Sequence, residues 1–98
     1  MTPTDPGSYE VYLLECADGT LYTGIARDAE ARLAVHNSGR GAKYTRSRLP
    51  VTLRYRETQP DKGAALRREL EIKKLTRTEK LRLIETQEKR TRHEPRPF

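Results

Sequence analysis

The sequence predicts a small α+β domain, in which a three-stranded antiparallel sheet (β-hairpin, helix, strand) packs with helices. Three observations predict it. Tyr9–Cys16 and Thr20–Ile25 are runs rich in Tyr, Val and Leu on either side of Ala17-Asp18-Gly19. Val51–Thr58 alternates apolar and polar residues after Pro50. The remaining segments carry helix-capping residues in front of apolar residues at helical spacing.

Each element follows in order. Met1–Ser8 holds two prolines and a glycine and reads as a flexible lead-in. In the hairpin, a two-residue loop would set Tyr12 and Tyr22 on opposite faces, and a three-residue loop sets them on one. The order Ala-Asp-Gly suits a type I turn closed by a left-handed glycine, so Cys16 should pair with Thr20, Leu14 with Tyr22 and Tyr12 with Gly24. Asp28 caps a helix from Ala29 to about Asn37, which Ser38-Gly39 stops. Ala29 and Leu33 should face the core, with Arg32 and His36 neighbours on one side. Residues 40–48 form a basic loop with room for a helical turn. In the third strand Val51, Leu53 and Tyr55 should share a face opposite Thr52, Arg54 and Arg56. A helix over Lys62–Lys74 follows, and Thr76-x-x-Glu79 is a capping box opening a last helix to about Glu85, with Leu81 and Ile84 as core contacts. Residues 87–98, charged and proline-containing, read as a disordered basic tail. The domain proper is residues 9–86.

Composition narrows the function. The 98 residues suffice for one small domain, and only 34% are hydrophobic, so the core is modest. No stretch approaches membrane-spanning length, and residues 1–8 lack a signal-peptide apolar run, so the expected location is the cytosol or nucleoid of a bacterium. One cysteine excludes an internal disulfide and a cysteine-based zinc cluster, and two histidines make a poor zinc site. The net charge of +6 suits a polyanion such as nucleic acid, or simply solubility.

One residue is out of place. On the Lys62–Lys74 helix, Ala65, Leu66, Leu70 and Ile72 form the expected apolar arc at about 100° per residue, and Glu69 falls inside it, whereas Glu71 points to solvent. An ionised carboxylate on a buried face requires compensation by a metal ion or an arginine. A structural salt bridge is the plain alternative.

Val11-Tyr12 followed by Tyr22-Thr23-Gly24 resembles the paired signatures of the GIY-YIG nuclease superfamily. Gly24-Ile25-Ala26-Arg27-Asp28 then leads to Arg32 and His36-Asn37, similar to the family's helix with an arginine and often a histidine one turn later. Glu69 matches the family's metal-binding glutamate. The run His36 to Arg46 resembles the small stand-alone bacterial branch, the YhbQ-like proteins. The resemblance covers about Tyr9 to Ile84. It departs at two backbone-packing positions: the first motif reads Glu10-Val11-Tyr12, without its glycine, and the second has Thr23 where isoleucine is usual.

The resemblance implies a metal-dependent DNA endonuclease, with structure-specific cutting in DNA repair or processing as its role. Glu69 would hold one Mg²⁺ (or Mn²⁺), which commonly takes one or two protein carboxylates. Arg32 would grip phosphate oxygens. Tyr12 is favoured as general base and Tyr22 as positioner of water, although either fits. Arg32, Arg27 and the metal would supply the positive field that such a base needs. His36 would relay a proton or contact phosphate, and Gly24 would let backbone approach the substrate. The expected nucleic-acid contacts are Gly24, Arg27, Asn37, Lys43, Tyr44, Arg46 and Arg48, with Arg54 near the cleft. The partner is DNA, branched or single-stranded, with no membrane, and monomer and homodimer both stay open.

Plain readings stand beside these. Tyr12 and Tyr22 can be a cross-strand pair, Arg32 a solvated residue, and His36 a cation at a helix C-terminus. The whole domain can be a non-catalytic nucleic-acid-binding module, or a small basic RNA-binding domain.

Overall fold

The computed structural model describes residues 7–92, with side chains through residue 90. The elements are β1 (Tyr9–Glu15), β2 (Leu21–Ala26), α1 (Ala29–Asn37), α2 (Lys43–Arg46), β3 (Thr52–Gln59), α3 (Lys62–Lys73) and α4 (Arg77–Arg92). The three strands form one antiparallel sheet in the order β2-β1-β3, the expected α+β arrangement.

The hairpin adopts the three-residue form. The Cys16 N–H donates to the Thr20 carbonyl and the Gly19 N–H to the Cys16 carbonyl, each at 2.8 Å. Gly19 has φ of 86°, the left-handed region that a Cβ disfavours. Tyr12 therefore lies opposite Gly24, and Leu14 opposite Tyr22. A slip of one residue would have separated the two tyrosines.

Central strand β1 is covered on both faces, which explains its unbroken buried run Val11-Tyr12-Leu13-Leu14. On one side Val11, Leu13 and Tyr55 meet Ala65 and Ile72 of α3 and Ile84 of α4. On the other, Tyr12, Leu14 and Cys16 meet Ala29, Leu33, Val51 and Leu53. Burial of each large aliphatic side chain in these clusters contributes about 1.5–3 kcal/mol.

The third strand departs from strict alternation. Its register shifts between Leu13 and Leu14, so Leu53 pairs with Leu14 and Tyr55 with Leu13, leaving Arg54 as the extra residue of a bulge. Val51 and Leu53 consequently face α1, while Tyr55 faces α3 and α4. Arg56 turns to the α1 side, where it binds Glu10 at 2.9 Å and Glu30 at 3.0 Å. The bulged Arg54 pairs with Glu15 and, at 3.2 Å, with Glu88 of α4.

Helix α1 begins as expected, with the Asp28 carboxylate accepting from the N–H groups of Glu30 and Ala31. Gly39, with φ of 86°, follows its C-terminus. In α3 the apolar arc is narrower than expected. Ala65 and Ile72 are fully buried, but Leu66 and Leu70 are 42% and 57% exposed. Arg68 takes the inward place instead, because its charge is matched by Glu57 of β3 at 2.8 Å. Glu69 does sit at the edge of the buried arc, its side chain 15% exposed, and Glu71 is on the solvent side.

Helix α4 opens with the expected reciprocal cap: the Glu79 N–H donates to Thr76 Oγ1 at 3.1 Å, and the Thr76 N–H to the Glu79 carboxylate at 2.9 Å. It runs to Arg92, well past Glu85 and into the expected tail. Gln87 holds this extension to β3, accepting from the Arg56 N–H at 3.2 Å and donating to the Arg56 carbonyl at 2.6 Å. Leu81 is exposed, and Leu83 packs on the core in its place beside Ile84. The rest of the tail, 93–98, and residues 1–6 of the lead-in lie outside the described residues. Among the described residues, no helix is long and apolar enough to cross a membrane.

Candidate active site

Register brings the hairpin's two tyrosines to one face, and Gly24 makes room for the first. A Cβ on Gly24 would lie 2.6 Å from the Tyr12 hydroxyl oxygen and 2.7 Å from its ring carbon. The glycine thus serves the phenol of this chain, and its expected role in admitting substrate to the backbone is not what its surroundings show.

Helix α1 delivers His36, only 2% exposed, against that phenol. Tyr12 Oη lies 3.1 Å from His36 Nε2, and His36 Nδ1 lies 2.9 Å from Thr45 Oγ1 of α2. The Thr45 hydroxyl donates to the Ala42 carbonyl at 2.9 Å. With that proton spent, Thr45 can only accept from Nδ1–H, which leaves Nε2 to accept from the Tyr12 hydroxyl. One direction of donation therefore satisfies three consecutive bonds. The weaker approach of the Ala42 N–H to Nδ1, at 3.4 Å, competes poorly with it. Gly41 completes the pocket, since a Cβ there would fall on the imidazole and within 2.8 Å of the His36 Cα.

This chain of bonds fixes the protonation states. Burial, and then the Arg32 charge, hold the His36 pKa below its ordinary value, so the ring is neutral. Burial is also the main force raising Tyr12 above the ordinary phenol value. The neighbouring Tyr22 and Glu69 add to the rise, and Arg32 opposes it. Tyr12 is a hydrogen-bond donor held in place, and its phenolate is strongly disfavoured.

Tyr22 stands outside this chain. Its ring meets the His36 ring edge-on, with centroids 5.4 Å apart, and stacks on Tyr44 at 5.9 Å. The Arg48 guanidinium covers the Tyr44 ring at 3.9 Å, bonded to Asp18 at 3.0 Å and to the Tyr44 carbonyl at 2.7 Å. Lys43 and Arg46 lie exposed on the same short helix.

Arg32 is exposed one turn before His36 and, among the described residues, makes no ion pair. Glu69 approaches from α3, which packs on β1 and β2. Its partner is a lysine: Lys73 Nζ lies 3.3 Å from Oε2, and the Lys73 side chain is half exposed. The lysine end of this i,i+4 pair is half in solvent and free to swing away, while the carboxylate stays largely buried. No group of three or more metal-ligating side chains occurs among the described residues. A lone carboxylate fits Mg²⁺ or Mn²⁺, which keep most of their coordination for water and phosphate, and does not fit zinc.

The neighbouring Arg68 sets the angle of α3. It binds Glu57 at 2.8 Å and Glu71 at 3.1 Å, while Glu57 also accepts from Tyr55 and, at 2.7 Å, from Gln59. Burial alone would raise the Glu57 carboxyl, but bonds from Arg68, Tyr55 and Gln59 outweigh it and hold the pKa below the ordinary value. Glu69, the next residue, lies about 100° further round the helix, at the edge of the buried arc.

Two expected contacts lie elsewhere. Arg27 follows the far end of β2, its guanidinium 5.6 Å from the Tyr9 ring, at the opposite end of the hairpin from Tyr22. Asn37 uses both ends of its amide on Val51, donating to its carbonyl at 3.0 Å and accepting from its N–H at 2.8 Å. It ties the end of α1 to the residue that leads into β3, a structural use of the amide. Thr45 and Gly41, which seat His36, are the residues that sequence reading missed. No periodicity marks a threonine in a basic loop.

Residues 8–82 match the GIY-YIG catalytic domain. The chain belongs to the GIY-YIG family. That is a nuclease family, and its nucleases generally use divalent metal ions. The GIY-YIG chain is 55% identical over 75 residues to a UPF0213 protein of Staphylococcus epidermidis, covering 76% of this chain and 92% of that one. A UPF0213 protein of Staphylococcus aureus is 56% identical over 77 residues, covering 79% and 94%. The solution structure of a UPF0213 protein from Bacillus halodurans superimposes with a TM-score of 0.53 at 44% identity, covering 81% of this chain and 84% of that one. A protein of known solution structure from E. faecalis gives 0.57 at 38% identity, covering 86% and 90%.

Proposed function

We propose that this GIY-YIG protein hydrolyses phosphodiester bonds in DNA with one divalent ion held at Glu69. The observation that carries this reading is convergence. The Tyr22 ring packs against His36, which bonds Tyr12, Arg32 stands one turn before His36 on α1, and the charges of Arg32 and of Glu69 on α3 both act on Tyr12. A salt-bridge reading of Glu69 explains the acid alone and leaves the other groups without a reason to meet.

Tyr12 is unsuited to the role of base first expected of it, because its proton is committed to His36 and burial opposes its ionisation. The half-buried Tyr22 takes that role here. It orients the attacking water and, in its phenolate form, would accept the proton that the water gives up, while His36 and Tyr12 hold the face against which it sits. Arg32, without an ion pair among the described residues and always charged, binds the non-bridging phosphate oxygens and stabilises charge that grows on them. Glu69 would hold Mg²⁺, or Mn²⁺ as a substitute. When bound, such an ion supplies Lewis-acid stabilisation at the phosphate and leaving oxygen. Lys43 and Arg46 extend the positive surface along the strand, and Arg48, paired with Asp18, holds the Tyr44 ring beside them. DNA repair or processing in the cytosol is the setting this chemistry suits.

The decisive experiment is cleavage of a panel of paired, branched, flapped and single-stranded DNA, with Mg²⁺ or EDTA. Wild-type protein is compared with Arg32→Ala and Glu69→Ala. Metal-dependent products that both substitutions abolish are expected. Salt-sensitive binding indifferent to EDTA and to Glu69→Ala, without products, would instead establish a non-catalytic binding module.

A further inference from the structure

The outward side of α3 carries two large apolar side chains that the core does not use. Leu66 and Leu70 are 42% and 57% exposed, although their own helix buries Ala65 and Ile72 completely. Their place around the helix is specific. At about 100° per residue, Glu69 borders the buried arc, Lys62 and Lys73 come next, then Leu66 and Leu70, then Lys74 and Arg67. The leucine pair thus lies between two lines of cations, and the nearer line adjoins Glu69.

We propose that Leu66 and Leu70 form an apolar contact for nucleic acid whose bases are unstacked beside the cleavage site. The inference rests on the nuclease reading and narrows its substrate. Charge decides the occupant. A second copy would carry the same +6 and meet cations with cations, whereas a polyanion is attracted by them. Apolar side chains gain little against an intact duplex presenting phosphates, but they gain where a base step is opened and aromatic faces become accessible. Leucine between lysine and arginine suits such a step: the cations take flanking phosphates, and the leucines cover the bared bases. Because the pair is adjacent to Glu69, the opened step would lie next to the bond that is cut.

The test measures binding in EDTA across a range of salt. One duplex is fully paired, and the other has the same length with a central mismatched bubble. The proteins are wild type and the double variant Leu66→Ser/Leu70→Ser, with thermal melting to check its fold. The bubble should be preferred by wild type. The variant should lose that preference, its affinity for the bubble falling about tenfold or more, with an unchanged slope of log affinity against log salt because no phosphate contact is removed. No wild-type preference, or equal preference in the variant, overturns the inference. Weaker self-association of the variant in sedimentation, without an effect on the bubble, assigns the face to a second copy and also overturns it. Cleavage with Mg²⁺ is scored separately. Products with leucine-independent binding defeat this inference alone, and leucine-dependent binding without products defeats the nuclease reading alone.

Discussion

Gly24 lies directly opposite Tyr12 across the hairpin, so close that one added carbon would come 2.6 Å from the phenol oxygen. The Tyr12 hydroxyl reaches His36 only because this position has no side chain. Gly24→Ala should therefore lower stability by about 1–3 kcal/mol and displace the Tyr12 ring. Gly63→Ala serves as a control, since its Cβ would meet nothing nearer than 3.4 Å and a helical alanine is favoured by about 0.5–1 kcal/mol. Thermal melts that rank the two variants equally would refute the packing account.

Thr45 sets the direction of the hydrogen bonds through His36. Nitrogen NMR of the imidazole should find the proton on Nδ1 and a bare Nε2. Thr45→Val removes the acceptor and leaves a buried donor unmatched, at a cost of about 1–3 kcal/mol. The proton should then shift toward Nε2, and Thr45→Ser should restore it. A wild-type ring protonated on Nε2 would reverse the direction assigned here.

His36 also makes stability depend on pH. Unfolded, the imidazole keeps its ordinary value of 6.5, whereas burial and Arg32 lower it in the fold. The unfolded chain then binds more protons as the medium acidifies, so stability falls as pH drops through 6.5 toward the lowered value and levels off below it. His36→Gln should flatten this part of the curve in melts between about pH 7.5 and about pH 5.5. An equally steep decline in the variant would place the titration elsewhere.

The basic surface and the Asn37 brace should separate cleanly. Asn37→Ala breaks two bonds to Val51 and should cost about 1–3 kcal/mol while leaving the salt slope of DNA binding unchanged. Lys43→Gln and Arg46→Gln should do the opposite, each lowering the slope by about 0.9 if it meets a phosphate, with melting unaffected. A salt slope altered by Asn37→Ala would return that residue to the binding surface.

Local chemistry made some of this readable in advance. The hairpin register followed from Ala17-Asp18-Gly19, because a left-handed glycine belongs to one loop length, and that register aligned both tyrosines. The helix starts followed from Asp28 and Thr76, whose side chains act within one turn. Long-range compensation was not readable. The bulge that reversed Tyr55 depends on pairing between strands far apart in the chain. Arg68 faces inward because Glu57 awaits it, and a helical pattern counts its charge as a reason to face out. The seat of His36 joins residues nine apart, with no repeat to reveal it.

Arg32 and Glu69 are carried by helices on opposite sides of one thin sheet. Whether both act on one phosphate, as the proposed nuclease requires, depends on how two outer layers are docked, and each layer has its own separate cluster of apolar contacts. A small slide of either layer would abolish the proposed nuclease activity while the protein's backbone bonding survived. Gentle denaturant should thus extinguish turnover before circular dichroism registers any loss of helix, so that the two readouts part company along the same titration.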